Sequence, residues 1–324
     1  MATGITTLLD IAARTGSDAI VGLIEDVTTY SPEFSILPAM TKRGTTYKVS
    51  RRTALPTAAF RDANGSATIG KSVWEQAVKE MYFLDCQLQV DEAVVKADDK
   101  SLGDFLADEA AGALQGATNA IGSQVFYGTS ADAKGFTGLQ AQSVGKWPTG
   151  GTTSSTSAYL VWLNEKGVSL VVGNDGDIAL PPWTRQAVNP STTTQKFAWV
   201  TNLSSYIGLQ VGSNSSVWRV SGITAAAPLT DARGAGLVSK VPLARRNGLM
   251  WFMNRTAAYT LQKSRASSGF VAASSGGSPT TELPGPAVAF AQMPTQLAGI
   301  PITVTDSLVD TETNAGTADT YAEE

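Results

Sequence analysis

The chain contains no histidine and a single cysteine in 324 residues. Histidine is the commonest general base and a frequent metal ligand, so its absence removes Ser-His-Asp triads, Cys-His dyads and most zinc sites together. Cys86 has no partner for an intrachain disulfide and reads as a small buried hydrophobe in a reducing compartment. Charged residues are scarce, at 16%. No apolar run reaches the ~18 residues of a membrane span, and the first residues lack the basic stretch and apolar core of an export signal. Without such a signal, the Asn-x-Ser/Thr triplets at Asn64, Asn202, Asn214 and Asn254 carry no meaning as glycosylation sites. A formal net charge of −4 argues against clamping duplex nucleic acid over a broad face, which needs clustered Lys and Arg.

What is present is 43% hydrophobic content, enough for a sizeable core in one or two domains. Residues 1–40 mix short apolar clusters with Pro32 and Pro38 and read as an arm with one or two short helices. From Thr45 onward, Tyr47 and Val49 alternate with Thr46, Lys48 and Ser50, the pattern of a strand with one covered face. Leu84, Cys86, Leu88 and Val90 alternate likewise with Asp85, Gln87, Gln89 and Asp91 and supply the expected return strand. Between them, 56–71 is rich in turn residues. The expectation is a long two-stranded excursion with little core of its own, marginal in water and in need of a partner surface.

Ser101-x-x-Asp104, preceded by Asp98 and Asp99, forms a capping-box pattern that starts a helix by satisfying first-turn N–H groups. Leu102, Leu106, Ala110, Ala113, Leu114, Ala117, Ile121 and Val125 then recur at helical spacing up to Gly128, predicting a helix ~40 Å long. Gly112, Gly116 and Gly122 inside it each cost up to ~1 kcal/mol relative to Ala and suggest a closely crossing backbone, with simple tolerance as the alternative. Two biased stretches, 148–157 and 266–286, read as hinges or loops. Between them, short strands at 167–172 and 249–253 and a helix from about Asn254 suggest a second α/β unit. A last strand is expected at 300–304, ahead of a polar, acidic tail, and no Lys or Arg occurs from Ala266 onward.

One catalytic pattern matches: Gly65 to Ser72 fits the phosphate-binding expression G-x-x-x-x-G-K-[ST]. That chemistry needs a buried strand feeding the loop and a helix leaving it. The polar flank 60–64 and the alternating pattern after Ser72 supply neither. The run 173–177 lacks the terminal Glu of a calcium loop and reads as a turn. Trp183, Trp199, Trp218 and Trp251 lie beside strand-like segments and are read as core in preference to a stacking platform.

Charge is unevenly distributed. From Thr41 to Lys71, the seven bases Lys42, Arg43, Lys48, Arg51, Arg52, Arg61 and Lys71 face one acid, Asp62, a net of +6. From Asp85 to Glu109, eight acids, among them Asp98, Asp99, Asp104 and Asp108, accompany two lysines. A basic ribbon reaching the acidic helix start of another copy would set register and guide assembly. Solvated faces without a partner, or contact with nucleic acid, are the alternatives.

Taken in order, these elements resemble tailed-bacteriophage major capsid proteins of the Hong Kong 97 type. Thr45 to Pro56 looks like that family's outgoing extended-loop strand, 122–128 through 135–139 like its spine-helix exit, and 299–306 like the final strand of its peripheral domain. The resemblance implies an α+β fold with an N-terminal arm (1–40), an extended loop (41–83), a peripheral domain with a long spine helix (84–154 and 285–324) and an axial domain (155–284). It also implies a non-enzymatic shell protein without cofactors, self-assembled into pentamers and hexamers of an icosahedral virion around double-stranded DNA. Lys42, Arg43, Arg51, Arg52, Arg61 and Lys71 would meet Asp98, Asp99, Asp104 and Asp108 of a neighbour. No long charged helical segment precedes the arm, so a separate scaffolding protein, or none, is expected, with a portal and a possible decoration protein as further partners and no membrane. The remaining readings are an encapsulin-like nanocompartment shell, which shares the fold, and a nucleotide hydrolase centred on Lys71.

Overall fold

The computed structural model describes residues 29–96, 101–142, 146–148, 154–173, 179–191, 194–268 and 292–312. The described chain begins with α1 (Glu33–Ile36), β1 (Ala39–Lys42), β2 (Thr46–Ala54), β3 (Val73–Glu80) and β4 (Tyr82–Asp91). It continues with α2 (Glu92–Val95), the long helix α3 (Leu102–Tyr127), α4 (Leu139–Gln142), β5 (Lys146–Pro148), β6 (Thr156–Trp162) and β7 (Val168–Gly173). Then come β8 (Thr184–Ser191), β9 (Thr194–Val211), β10 (Val217–Ile223), α5 (Asp231–Ser239), β11 (Leu249–Met253), α6 (Arg255–Ser268), β12 (Gln296–Leu297) and β13 (Ile300–Val304).

Three sheets result. The first runs β1-β7-β9-β4, with β8 also on β9; the second runs β12-β13-β11-β6-β10-β5; β2 and β3 pair with each other alone. The second sheet is covered on both faces, which explains why β6 and β10 are almost wholly buried. Alternation sorts its side chains. Ala158, Leu160, Trp218, Trp251 and Met253 pack on Leu237 of α5 and on Ala257, Ala258 and Leu261 of α6. Tyr159, Val161, Val217 and Phe252 point the other way and meet Ile121, Val125 and Phe126 of α3 together with Leu170, Ile207 and Leu209 of the first sheet. A smaller core of Val90, Val95, Phe105 and Leu106 sits under the start of α3, with Trp183 and Trp199 packed against it. All four tryptophans read as core are therefore at least partly buried in one.

Helix α3 starts and stops where its caps dictate. Ser101 Oγ accepts from Asp104 N at 3.2 Å, and Gly128 closes the helix at φ 58°. A Cβ on Gly128 would lie 2.8 Å from Gly138 Cα, so two glycines let the exit loop fold back on the helix end. Gln124 Nε2 fastens that loop by donating to Phe136 O at 2.8 Å.

Several expectations are corrected. The return strand of the excursion is β3, in register Thr46↔Glu80 to Ala54↔Val73, while β4 pairs with β9 from Tyr82↔Ile207 to Asp91↔Ala198. Both faces of β3 are largely open, so it carries weak apolar alternation; the strict alternation of 84–90 reflects α3 covering one face of β4. In α3, Leu102 and Leu114 are partly exposed, and Phe105 and Phe126 are buried in the cores at its two ends. Among the described residues no backbone crosses its glycines: Gly112 and Gly116 meet nothing within 4 Å, and Gly122 is closed off by the side chains of Ser307 and Glu33. Across the position near 155 the first sheet joins β4 to β7 and β9, and across the position near 285 the second joins β11 to β13. Strand partners are set by tertiary pairing, and the 18-residue β9 carries the chain back to the first sheet. The turn expected at 173–177 and most of the stretch 266–286 lie outside the described residues.

Candidate assembly surface

Among the described residues, the β2–β3 hairpin packs its buried side chains on the body at its base. Tyr47 and Met81 are buried against Val171 of β7, with Met40 and Val49 packed around them, and burial pushes the Tyr47 hydroxyl up to about 12. From that base the ribbon runs the nine residues of β2, base included, roughly 30 Å at ~3.4 Å per residue. Its side chains are those of a surface awaiting cover. Phe60 and Ile69 are almost wholly exposed, and Leu55, Trp74 and Val78 are more than half exposed. Apolar groups presented in such a group on an element without its own core mark a contact site.

The bases are placed among them. Arg51 is ion-paired across the ribbon with Glu75 at 2.7 Å, and Arg52 stacks 4.6 Å over the Trp74 ring. Arg61 Nη1 donates to Gly65 O at 2.7 Å, bracing a turn in which Asn64 takes φ 66°. Lys42, Arg43 and Lys71 are exposed. Glu75, Lys79 and Glu80 lie on the true return strand, so 41–80 holds eight bases and three acids, a net of +5.

Among the expected acids, Asp104 braces the Ser101 cap of α3, its Oδ2 accepting from Ser101 Oγ at 2.6 Å, and Asp108 lies one turn further along, half-buried. Asp98 and Asp99 lie outside the described residues. Among the described residues, none of the six bases is ion-paired with Asp104 or Asp108 of the same chain. Acids ion-paired within the described chain include Glu92, with Lys96 at 2.9 Å and Arg185 at 2.7 Å, whose hydrogen bonds hold its carboxyl below the usual range, and Glu312, with Arg219 at 2.8 Å. Sequence reading singled out neither, since Arg185 and Glu92 stand 93 residues apart, as do Arg219 and Glu312.

The phosphate-loop match fails on geometry. Ser72 leads into strand β3 and no helix follows, so no helix N-terminus faces Gly65 to Ser72. Gly70 has another cause: a Cβ there would sit 2.9 Å from Thr57 N, where the two limbs of the hairpin tip run side by side.

A family model described as "Major capsid protein GP7" matches residues 35–315. The chain belongs to this family. It is therefore a shell protein of a phage head, and the nucleotide-hydrolase and nanocompartment readings are not favoured. No curated protein matches. Among solved structures, a chain of bacteriophage Epsilon15 aligns over 97% of this chain and 98% of its own, with TM-score 0.64 and 17% identity, which shows the Hong Kong 97-type fold. A chain from the capsid of the native GTA particle aligns over 65% and 99%, with TM-score 0.44 and 7% identity. One from the capsid of Myoviridae phage XM1 aligns over 65% and 98%, with TM-score 0.44 and 9% identity. In this capsid subunit, α3 stands where the resemblance put the spine helix, and the hairpin stands where it put the extended loop.

Proposed function

We propose that copies of this subunit join into pentamers and hexamers of a closed icosahedral head around double-stranded DNA, each hairpin lying over the neighbouring copy. The peripheral part is carried by α3 with the first sheet, and the axial part by the second sheet with α5 and α6. The subunit acts by contact and not by catalysis. It takes no cofactor and works with a separate scaffolding protein, a portal and a decoration protein, and assembly takes place in the host cytoplasm. The observation that carries this reading is the hairpin itself: a net +5 ribbon with Phe60, Ile69, Leu55, Trp74 and Val78 exposed and no core of its own.

On this reading the ribbon's bases meet the acidic start of a neighbour's α3, with Asp98, Asp99, Asp104 and Asp108 as the counter-charges. Replacing Arg51→Glu with Arg52→Glu is expected to abolish shells and capsomers in electron micrographs while leaving the circular dichroism of the subunit unchanged. Adding Asp104→Arg and Asp108→Arg is expected to restore part of the assembly. Unchanged shells in the arginine double variant would falsify the pairing.

A further inference from the structure

Between the base of the hairpin and the body lies a cleft of about 1040 Å³ whose lining among the described residues includes Lys42, Lys48, Arg51, Arg52, Lys166 and Arg245, and no acid. Arg51 is satisfied by Glu75, and Arg245 is braced by Ser213 and Ser215. Lys42, Lys48 and Lys166 form no ion pair among the described residues. Cations converging on one space without a counter-charge repel each other, and an anionic occupant relieves that repulsion.

The chain holds a segment of matching chemistry. After Arg265 there is no further base, and the acids of the described end are already engaged: Asp306 with Arg255 at 2.6 Å, Asp310 with Thr256 at 2.9 Å and Glu312 with Arg219 at 2.8 Å. Asp319, Glu323 and Glu324 follow, in twelve residues that lie outside the described part of the structure. Reach is sufficient. Glu312 is hydrogen-bonded through its backbone to Ser155, and the cleft begins at Trp162 at the far end of β6, about 24 Å away along the strand at ~3.4 Å per residue. Twelve residues span at most ~40 Å.

We propose that the acidic segment 313–324 docks in the cleft of its own copy, with Asp319, Glu323 and Glu324 set against Lys42, Lys48 and Lys166. The docking stands on the cleft and its charges and does not depend on the shell reading. Its counter-charges differ from those of the proposed neighbour contact, which uses the start of α3.

The test is disulfide trapping in the full chain. In a Cys86→Ser background, Ser50→Cys of β2, which lines the cleft, is combined with Tyr321→Cys, and the dilute protein is oxidised with diamide. Intrachain linkage, read from migration on non-reducing gels, is expected to form about ten-fold faster than when Asp319→Asn, Glu323→Gln and Glu324→Gln are added, and to slow towards that rate in ~1 M salt. Lys48→Gln with Lys166→Gln should reproduce the slowing with the segment intact. Equal rates with charged and neutralised segments overturn the proposal. Linkage formed only between chains also overturns it, because the occupant is then a second copy.

Discussion

Glu312 fastens three parts of the molecule with one carboxylate. Its Oε2 pairs with Arg219 on β10 and accepts from Ser157 on β6, while Oε1 accepts from Tyr127 Oη at the end of α3 at 2.7 Å. Both charges are almost completely buried, so removing one leaves the other uncompensated. Arg219→Met is expected to cost about 3–5 kcal/mol in chemical denaturation, and adding Glu312→Leu to recover much of that loss. Glu33 is a different case. It is buried with hydroxyl partners, Thr305 and Ser307, and with Asp306 nearby, and desolvation raises its pKa. A carboxyl whose folded pKa is raised binds its proton more tightly in the folded state, so its contribution is greatest at low pH and is lost as pH rises through the folded value. Stability measured from pH 4 upward is therefore expected to fall for the native chain relative to Glu33→Gln. A parallel pH dependence in the two proteins would show that Glu33 titrates normally.

At the scale of the element, α3 and the hairpin were legible to different degrees, for physical reasons. The helix announced itself through its caps, Ser101 and Gly128, because capping depends on residues adjacent in sequence. Its exposed middle did not, because Leu114 fits the helical spacing whether or not anything covers it. The outgoing strand of the hairpin was readable from Tyr47 and Val49, which face the body, whereas β3 faces solvent on both sides and leaves little pattern to read. The basic ribbon was visible as charge, but the cleft behind it was not, since Lys166 and Arg245 arrive from distant parts of the chain. The three glycines of α3 now separate. Gly122→Ala is expected to destabilise the subunit by about 1–3 kcal/mol because its Cβ meets Ser307 and Glu33. Gly112→Ala and Gly116→Ala, with open space around them, should each stabilise the isolated subunit by about 0.5–1 kcal/mol. Thermal denaturation of the three single variants decides this. If the alanines at 112 and 116 stabilise the subunit yet block assembly, the backbone that crosses there belongs to a neighbour.

For the whole molecule, the hairpin tip stands apart from what folds the subunit. The buried clusters lie in the two large sheets, the helices and the hairpin base, and 55–72 contributes no buried side chain to any of them. The tip can therefore be removed without subtracting from a core. Joining Ala54 to Val73, which already pair, through Asn-Gly gives a two-residue turn suited to the twist of an antiparallel ribbon. The shortened chain retains Tyr47, Met81 and Val171 at its anchor, so its melting temperature should stay within a few degrees of the parent's. It loses Leu55, Phe60 and Ile69 together with Arg61 and Lys71, the apolar and charged groups placed furthest from the body's own support. If those groups are the joint between copies, electron microscopy of the folded, shortened protein will show neither shells nor capsomers. Shells of normal appearance would mean that copies meet through the body, with the exposed middle of α3 the next surface to test.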